Sequence, residues 1–265
     1  MKRFLFLVVI CLMPILFYAC DSVSTINVGK IQYITKNVTN FNGIDIGHSI
    51  NAEITISDVE EVIVEAGENL HPYIVVEVVN NVLKIYYKKG ENFIINGDLP
   101  KIHIKMKDLL TLEQSGVTDV SLNSNGFEFS TVSCNIADKS VFSANNLIGN
   151  KLELKLSGIS YFNCSELIVE NCDFNISGNG AIRIAKGTCD KLKLNSSLTG
   201  LFCLSTDFGF VSQYADLKLK YASKAELTVE KEFAIEASGT SHCSYKGNPT
   251  ITKMEITDTA SLEKN

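Results

Sequence analysis

Residues 151–178 read KLELKLSGISYFNCSELIVENCDFNISG, and the stretch nearly repeats itself after twenty residues. Leu152 and Leu154 lead to Ser157-Gly158; Phe174 and Ile176 lead to Ser177-Gly178. Glu153 and Lys155 stand between the apolar positions. Alternation of period two gives a strand one buried and one wet face. The small dipeptide marks a corner, where glycine supplies backbone conformations with positive φ.

Outward from this unit the pattern continues. Further dipeptides are Ser115-Gly116, Ala137-Asp138, Thr199-Gly200, Ala222-Ser223, Ser238-Gly239 and Asp258-Thr259, with spacings between 16 and 23 residues. The strands Leu192/Leu194, Leu217/Leu219, Phe233/Ile235 and Met254/Ile256 keep step. No segment carries a 3.6-residue apolar stripe of helical length, and the chain has only 4 Pro. A short-strand repeat of this length predicts an all-β fold, a parallel β-solenoid of about eight coils stacked about 4.8 Å apart. The Ser-Gly sites read as corners, since none has the spacing of a nucleotide loop.

The first half is β but less repetitive. Ile44 to Ile46, Ala52 to Ile56, Val62 to Val64, Ile74 to Val79, Val82 to Tyr87 and Ile102 to Ile104 alternate or run apolar. Asn80-Asn81 has the form of a two-residue hairpin turn, because Asn tolerates the left-handed region. Residues 40–110 are therefore expected to contain antiparallel pairing that caps the solenoid. Residues 260–265 are expected to finish the last coil, at an end less clearly protected.

The amino terminus reads as a targeting segment. Lys2-Arg3 precede a short apolar run, Phe4 to Tyr18, and then Ala19-Cys20-Asp21-Ser22. Such a run is a signal peptide rather than a membrane span. Cys after Ala is the pattern of a bacterial lipobox, in which Cys20 is diacylated and becomes the new amino terminus. Phe17 and Tyr18 depart from the standard lipobox, so an ordinary signal peptide cut at Ala19 or beyond is the alternative. The expected division is a signal peptide over 1–19, a lipidated tether over 20–39 and a solenoid domain over 40–265. Losing Lys2 and Arg3 takes the formal charge from −6 to −8. An acidic body speaks against nucleic acid as partner and leaves membrane contact to the anchor on Cys20.

Six further cysteines remain: Cys134, Cys164, Cys172, Cys189, Cys203 and Cys243. In an exported chain they could form three disulfides. There is no CxxC pair, however, and each lies in an alternating segment, so the favoured reading is small apolar residues stacked in a core. His48, His71, His103 and His242 are scattered without ligand spacing, so no metal site is expected.

Taken in order, Phe41-Asn42-Gly43-Ile44-Asp45, Val62 to Leu70 (VIVEAGENL), Ile74 to Val78, Leu83-Lys84-Ile85, Pro100-Lys101-Ile102 and Leu112 to Gly116 resemble the head GIN domain family. Its members are exported proteins of gut-type Gram-negative bacteria and carry an adhesin label by analogy. The resemblance covers about residues 38–260. It implies a right-handed single-stranded β-helix and a surface or periplasmic address on the outer membrane. It implies no catalytic or binding residues and no cofactor. Asp21-Ser22-Val23 and Asp258-Thr259-Ala260 also have the form of an O-glycosylation acceptor used by some of these bacteria.

Three functional readings follow. The first is a non-catalytic binding or display module for a glycan or a host or envelope protein, with Tyr161, Phe162, Phe202, Tyr214, Tyr221 and Tyr245 as candidate contacts. The second is an envelope scaffold that self-assembles through its solenoid ends. The third, disfavoured, is an enzyme acting on polysaccharides, which would need clustered carboxylates with Arg or Lys. No close carboxylate pair is expected on successive coils. Arg183 reads as an outward, solvated side chain, and Ser241-His242 adjacency as meaningless for a triad.

Overall fold

A strand of period two buries half its side chains only if something covers that face. Here each coil covers the next. The computed structural model describes residues 24–89, 93–124, 126–203 and 208–265. It begins with β1 (Ser24–Asn27), β2 (Ile31–Lys36), β3 (Gly43–Ile46), β4 (Asn51–Ile56) and β5 (Glu61–Gly67). A hairpin follows, β6 (Ile74–Val79) and β7 (Val82–Tyr87), then β8 (Phe93–Asn96) and β9 (Lys101–Met106). The repeat then takes over with β10 (Thr111–Gln114), β11 (Asp119–Leu122), β12 (Phe127–Ile136), β13 (Val141–Gly158), β14 (Tyr161–Gly178) and β15 (Ala181–Ser196). It ends with β16 (Leu201–Phe202), β17 (Phe210–Leu219), β18 (Lys224–Ala237), β19 (His242–Lys246), β20 (Thr250–Ile256) and β21 (Ser261–Lys264).

From β10 onward every pairing is parallel with the equivalent strand one coil on, and in register apart from local shifts at Ser212/Tyr214 and Phe233/Ala234. The stack is a β-solenoid of about seven turns, because the eight corner dipeptides bound seven intervals. One inward column shows the packing rule. It runs Ala52, Val120, Phe142, Phe162, Ile182, Phe202, Ala225 and Cys243, pair by pair. All of these are buried, with Phe162, Ile182 and Phe202 wholly so. Each large member contributes about 1.5–3 kcal/mol by leaving water.

The corners form a second ladder. His48, Gly116, Asp138, Gly158, Leu198, Tyr221, Gly239 and Asp258 all have positive φ. The backbone N–H after one corner donates to the carbonyl of the corner before it. Examples are Lys139 to Gly116 at 2.9 Å, Ile159 to Asp138 at 2.6 Å and Thr240 to Tyr221 at 2.6 Å. The left-handed residue falls one place before the expected dipeptide at Thr199-Gly200 and at Ala222-Ser223. Gly178 is not left-handed at all; glycine is needed there because a Cβ would run into the carbonyl oxygen of Gly158. Two residues past the corner, Thr118, Ser140, Ser160, Ser223 and Ser241 are buried, a column of small hydroxyls on the inside of the bend.

The amino-terminal cap is antiparallel in part, as expected. β6 and β7 form a hairpin closed by Val79 opposite Val82, and Asn80 and Asn81 both have positive φ. β2 pairs antiparallel with β5, and β5 with β9. This corrects the tether reading for residues 24–36, which form β1 and β2 rather than a free linker. Their side chains stay largely exposed, so they show little apolar alternation, and backbone pairing with β8 and β5 is what orders them.

All six cysteines past Cys20 are buried and free. Burial pushes the Cys164 and Cys243 thiols up to about 12, which keeps them protonated and unreactive. On the outer face of the cap, His103 lies between two carboxylates, with Nε2 2.6 Å from Glu65 and Nδ1 3.3 Å from Glu53. Lys101 pairs with Glu53, and the Tyr33 hydroxyl donates to Glu65 at 3.0 Å. The hydrogen bond from His103 holds the Glu65 carboxyl below its usual range.

Two predictions follow from this packing. Gly180→Ala drives a Cβ into the Ser160 carbonyl of the neighbouring coil and should cost about 1–3 kcal/mol of overpacking in urea unfolding. Gly126→Ala, left-handed but facing open space, should cost only the roughly 1 kcal/mol of backbone strain; equal losses would refute the coil-contact account. For Glu65 the lowered folded value means that its stabilisation is complete above the ordinary carboxylate range and vanishes as pH falls through the lowered value. His103→Leu should therefore lower the unfolding midpoint near pH 6 and have little effect near pH 2. A penalty that does not change with pH would refute the linkage.

Candidate functional site

Near its amino-terminal end the stack departs from the regular coil, and the departure is a groove. β7 lies under β3 in parallel as far as Ile85 opposite Ile46. A regular coil would then turn a corner beneath His48. Instead the chain runs straight on through Tyr86, Tyr87 and Lys88, and the strand that next lies beneath β4 is β9. On the way β8 pairs with β1. The missing corner leaves an open groove of about 1210 Å³.

Its floor is aromatic. Tyr87 meets Phe93 edge-on at 5.1 Å, and Phe93 packs on Tyr73 at 5.2 Å. His48 stands 6.1 Å from Tyr87. Burial pushes the Tyr87 hydroxyl well above its ordinary pKa, and it donates to the Ser49 carbonyl at 3.4 Å, so it stays neutral. Val79, Leu99 and Val117 add exposed apolar wall. Of the charges, Asp45 is held by Lys84 at 2.9 Å. Glu77 accepts from the Tyr86 hydroxyl at 2.7 Å. Lys88 and Lys89 are exposed on the rim and make no ion pair among the described residues. With its carboxylates engaged, the groove presents aromatic faces and free ammonium groups. That combination suits a flat or ring-shaped ligand carrying negative charge.

The expected contact residues lie elsewhere. Phe162, Phe202 and Tyr245 are buried in the core. Tyr161 lies under the Arg183 guanidinium, 4.8 Å away, and Tyr214 under Lys231 at 5.4 Å. Tyr221 is 63% exposed, but as a corner residue standing alone. Arg183 is exposed on its strand, as expected. Cys20, the leader and Asp21-Ser22-Val23 lie outside the described residues. Thr259 is exposed at the last corner, its hydroxyl donating to the Gly239 carbonyl at 3.0 Å. The groove aromatics come from the non-repeating segment; the clue was the close grouping of Tyr73, Tyr86, Tyr87 and Phe93, with Tyr86 in phase with the outward Lys84.

The carboxylates need a correction. Glu153 stacks on Asp173, and Glu236 on Glu255, on successive coils, which the expectation of no such pairs missed. Lysine engages each pair, reaching one acid of the first and both acids of the second. Lys151 is 2.5 Å from Glu153, and Lys253 is 2.5 Å from Glu236 and 3.3 Å from Glu255. These hydrogen bonds lower the Glu153 and Glu236 carboxyls, whereas a general acid needs a raised one. Near His242, Ser244 Oγ is 2.9 Å from Nε2 and Ser261 Oγ 2.8 Å from Nδ1. Glu263 sits on the Nε2 side at 3.8 Å, so no carboxylate orients Nδ1 as a triad requires. Ser241 points inward to the Leu219 carbonyl. No cluster of three or more metal-ligating groups occurs among the described residues.

Among solved structures the chain is similar to a putative adhesin from Parabacteroides distasonis, with 22% identity and TM-score 0.84 over 91% of this chain and 100% of that one. A putative adhesin from Parabacteroides merdae matches with 18% identity and TM-score 0.82, over 92% and 100%. A putative lipid binding protein from P. distasonis matches with 22% identity and TM-score 0.80, over 91% and 100%. At these identities the likeness shows the fold alone. No curated protein matches the chain significantly in sequence. The family described as "Putative auto-transporter adhesin, head GIN domain" matches residues 40–249, which is most of the chain and takes in both the interrupted coil and the regular stack, so the chain belongs to that family.

Proposed function

We propose that the chain is an exported, non-catalytic outer-membrane lipoprotein, anchored through acylated Cys20, whose solenoid holds an acidic glycan in the groove beside His48. The observation that carries this reading is the composition of that groove: neutral Tyr86, Tyr87 and Phe93, partnered carboxylates, and the rim lysines Lys88 and Lys89. Sugar rings pack on aromatic faces, and uronate or sulfate groups pair with ammonium. Adhesin family membership and the leader over residues 1–19 support an extracytoplasmic address. The apolar wall of Val79, Leu99 and Val117 favours a second reading, in which the glycan belongs to an amphiphile whose acyl part also enters the groove.

Binding tests separate these readings. The full chain in nonionic detergent should retain uronic-acid and sulfated oligosaccharides over neutral ones of the same length. Lys88→Glu and Tyr86→Ala should each weaken retention about tenfold, roughly 1.4 kcal/mol. Equal retention of neutral sugars would overturn the acidic-glycan reading, and capture of fatty-acid micelles alone would replace it with the amphiphile. For the address, Cys20→Ser should move the protein from the membrane fraction to the soluble fraction, and protease applied to intact cells should remove the solenoid if it faces outward. An unchanged membrane fraction would overturn the anchor.

A further inference from the structure

The end of the solenoid away from the groove is built differently. At the amino-terminal end the first coil is covered: β7 lies on β3, β9 on β4, and the antiparallel strands β6, β5 and β2 follow outside them. At the other end, among the described residues, β20 pairs only with β18, and β21 only with β19. Their far edges carry unpaired backbone donors and acceptors.

The inward columns also stop in the open there. Phe233, Ile235 and Ala237 are buried, and their in-register successors are Ile251, Met254 and Ile256. Met254 occupies a core position yet is 54% exposed. Ile251, Ile256 and Leu262 pack against the core only from above. The last coil thus presents apolar side chains of core type beside a free strand edge, the arrangement that recruits another chain.

We propose that this end docks a second copy of the chain, the two joined tail to tail by antiparallel pairing of their β20 strands about a two-fold axis at Met254. The charge pattern selects this partner and this register. With Met254 opposite Met254 of the second copy, Lys253 faces Glu255 of that copy, and Glu255 faces its Lys253. Both are outward side chains, so two cross-strand ion pairs form while the apolar columns meet below them. The contact is isologous and closes with two copies. Stacking head to tail is disfavoured because the opposite end is already closed by strands of antiparallel direction. The pairing leaves the two grooves at the far ends of the joined rod, and it does not depend on the ligand or the anchor.

The register is tested by exchanging its charges. Sedimentation of the full chain in nonionic detergent should show a monomer–dimer equilibrium. Lys253→Glu alone places Glu against Glu, and Glu255→Lys alone places Lys against Lys; each should weaken dimerisation about tenfold or more. An equimolar mixture of the two variants restores both attractive pairs, so it should form the mixed dimer at close to the parent affinity. Mixing changes neither variant's own fold, so this rescue cannot come from a folding defect. Met254→Cys should cross-link to a dimer when copper phenanthroline takes two electrons and two protons from the facing thiols. Overturning results are a parent that stays monomeric at every concentration, a mixture that dimerises no better than either variant alone, or a dimer that Met254→Cys fails to cross-link.

Discussion

Register between coils is the constraint on which the molecule depends. In a helix or a hairpin a residue's partners are close in sequence; here each inward side chain rests on the equivalent residue of the next coil, about twenty positions away. A parallel stack tolerates no slip, because moving one coil by a residue would turn its apolar set outward. The corners enforce the register. At most of them a left-handed residue turns the chain, and the following N–H donates to the corner before it. Close backbone approach does the rest, leaving Gly158, Gly178 and Gly180 no room for a Cβ.

The same stacking governs the outer face. Like residues in register would set like charges about 4.8 Å apart, so the columns mix signs. Glu153, Asp173, Lys193 and Asp216 follow one another down one face. Where acids do meet, a lysine neutralises one of them, as Lys151 does at Glu153, or spans both, as Lys253 spans Glu236 and Glu255. On the neighbouring column Asn195 donates to Asn175 at 3.0 Å. Side chains held this way stabilise the ladder and keep their carboxyls ionised, so the regular faces of the rod are poor places for acid–base chemistry.

This explains which parts of the protein were legible in its sequence. Periodicity reported the solenoid, its strand positions and the inward cysteines, because a repeat states each packing decision several times over. Asn80-Asn81 was legible because a hairpin turn is a local matter. β1 and β2 were not, since their residues are mostly exposed and their order comes from backbone pairing with β8 and β5, which leaves no apolar signature. The small corner shifts at Leu198 and Tyr221 were hidden for a related reason: once neighbouring coils fix the bend, a residue other than glycine can be held left-handed. The groove was invisible for the opposite reason. It exists where the chain omits a corner, and a search for repeats passes over the place where the repeat fails.

Function should then be sought where the ladder is broken. Mid-rod, the strand backbone and most side chains among the described residues are already committed to the coils above and below, so less is left to recognise anything else. The two breaks free different things: the omitted corner exposes aromatic faces and ammonium groups, while the last coil exposes strand edge and core-type apolar residues. They lie at different distances from the amino terminus. Ser24 begins β1, beside the groove, and Cys20 lies four residues earlier, so an acyl anchor there would be within roughly 14 Å of Ser24 even on a fully extended chain. An anchored rod would hold its groove at the lipid surface and its open coil away from it. A ligand rooted in that membrane would then lie within reach of the groove, and the distal coil would be the part free to meet another molecule.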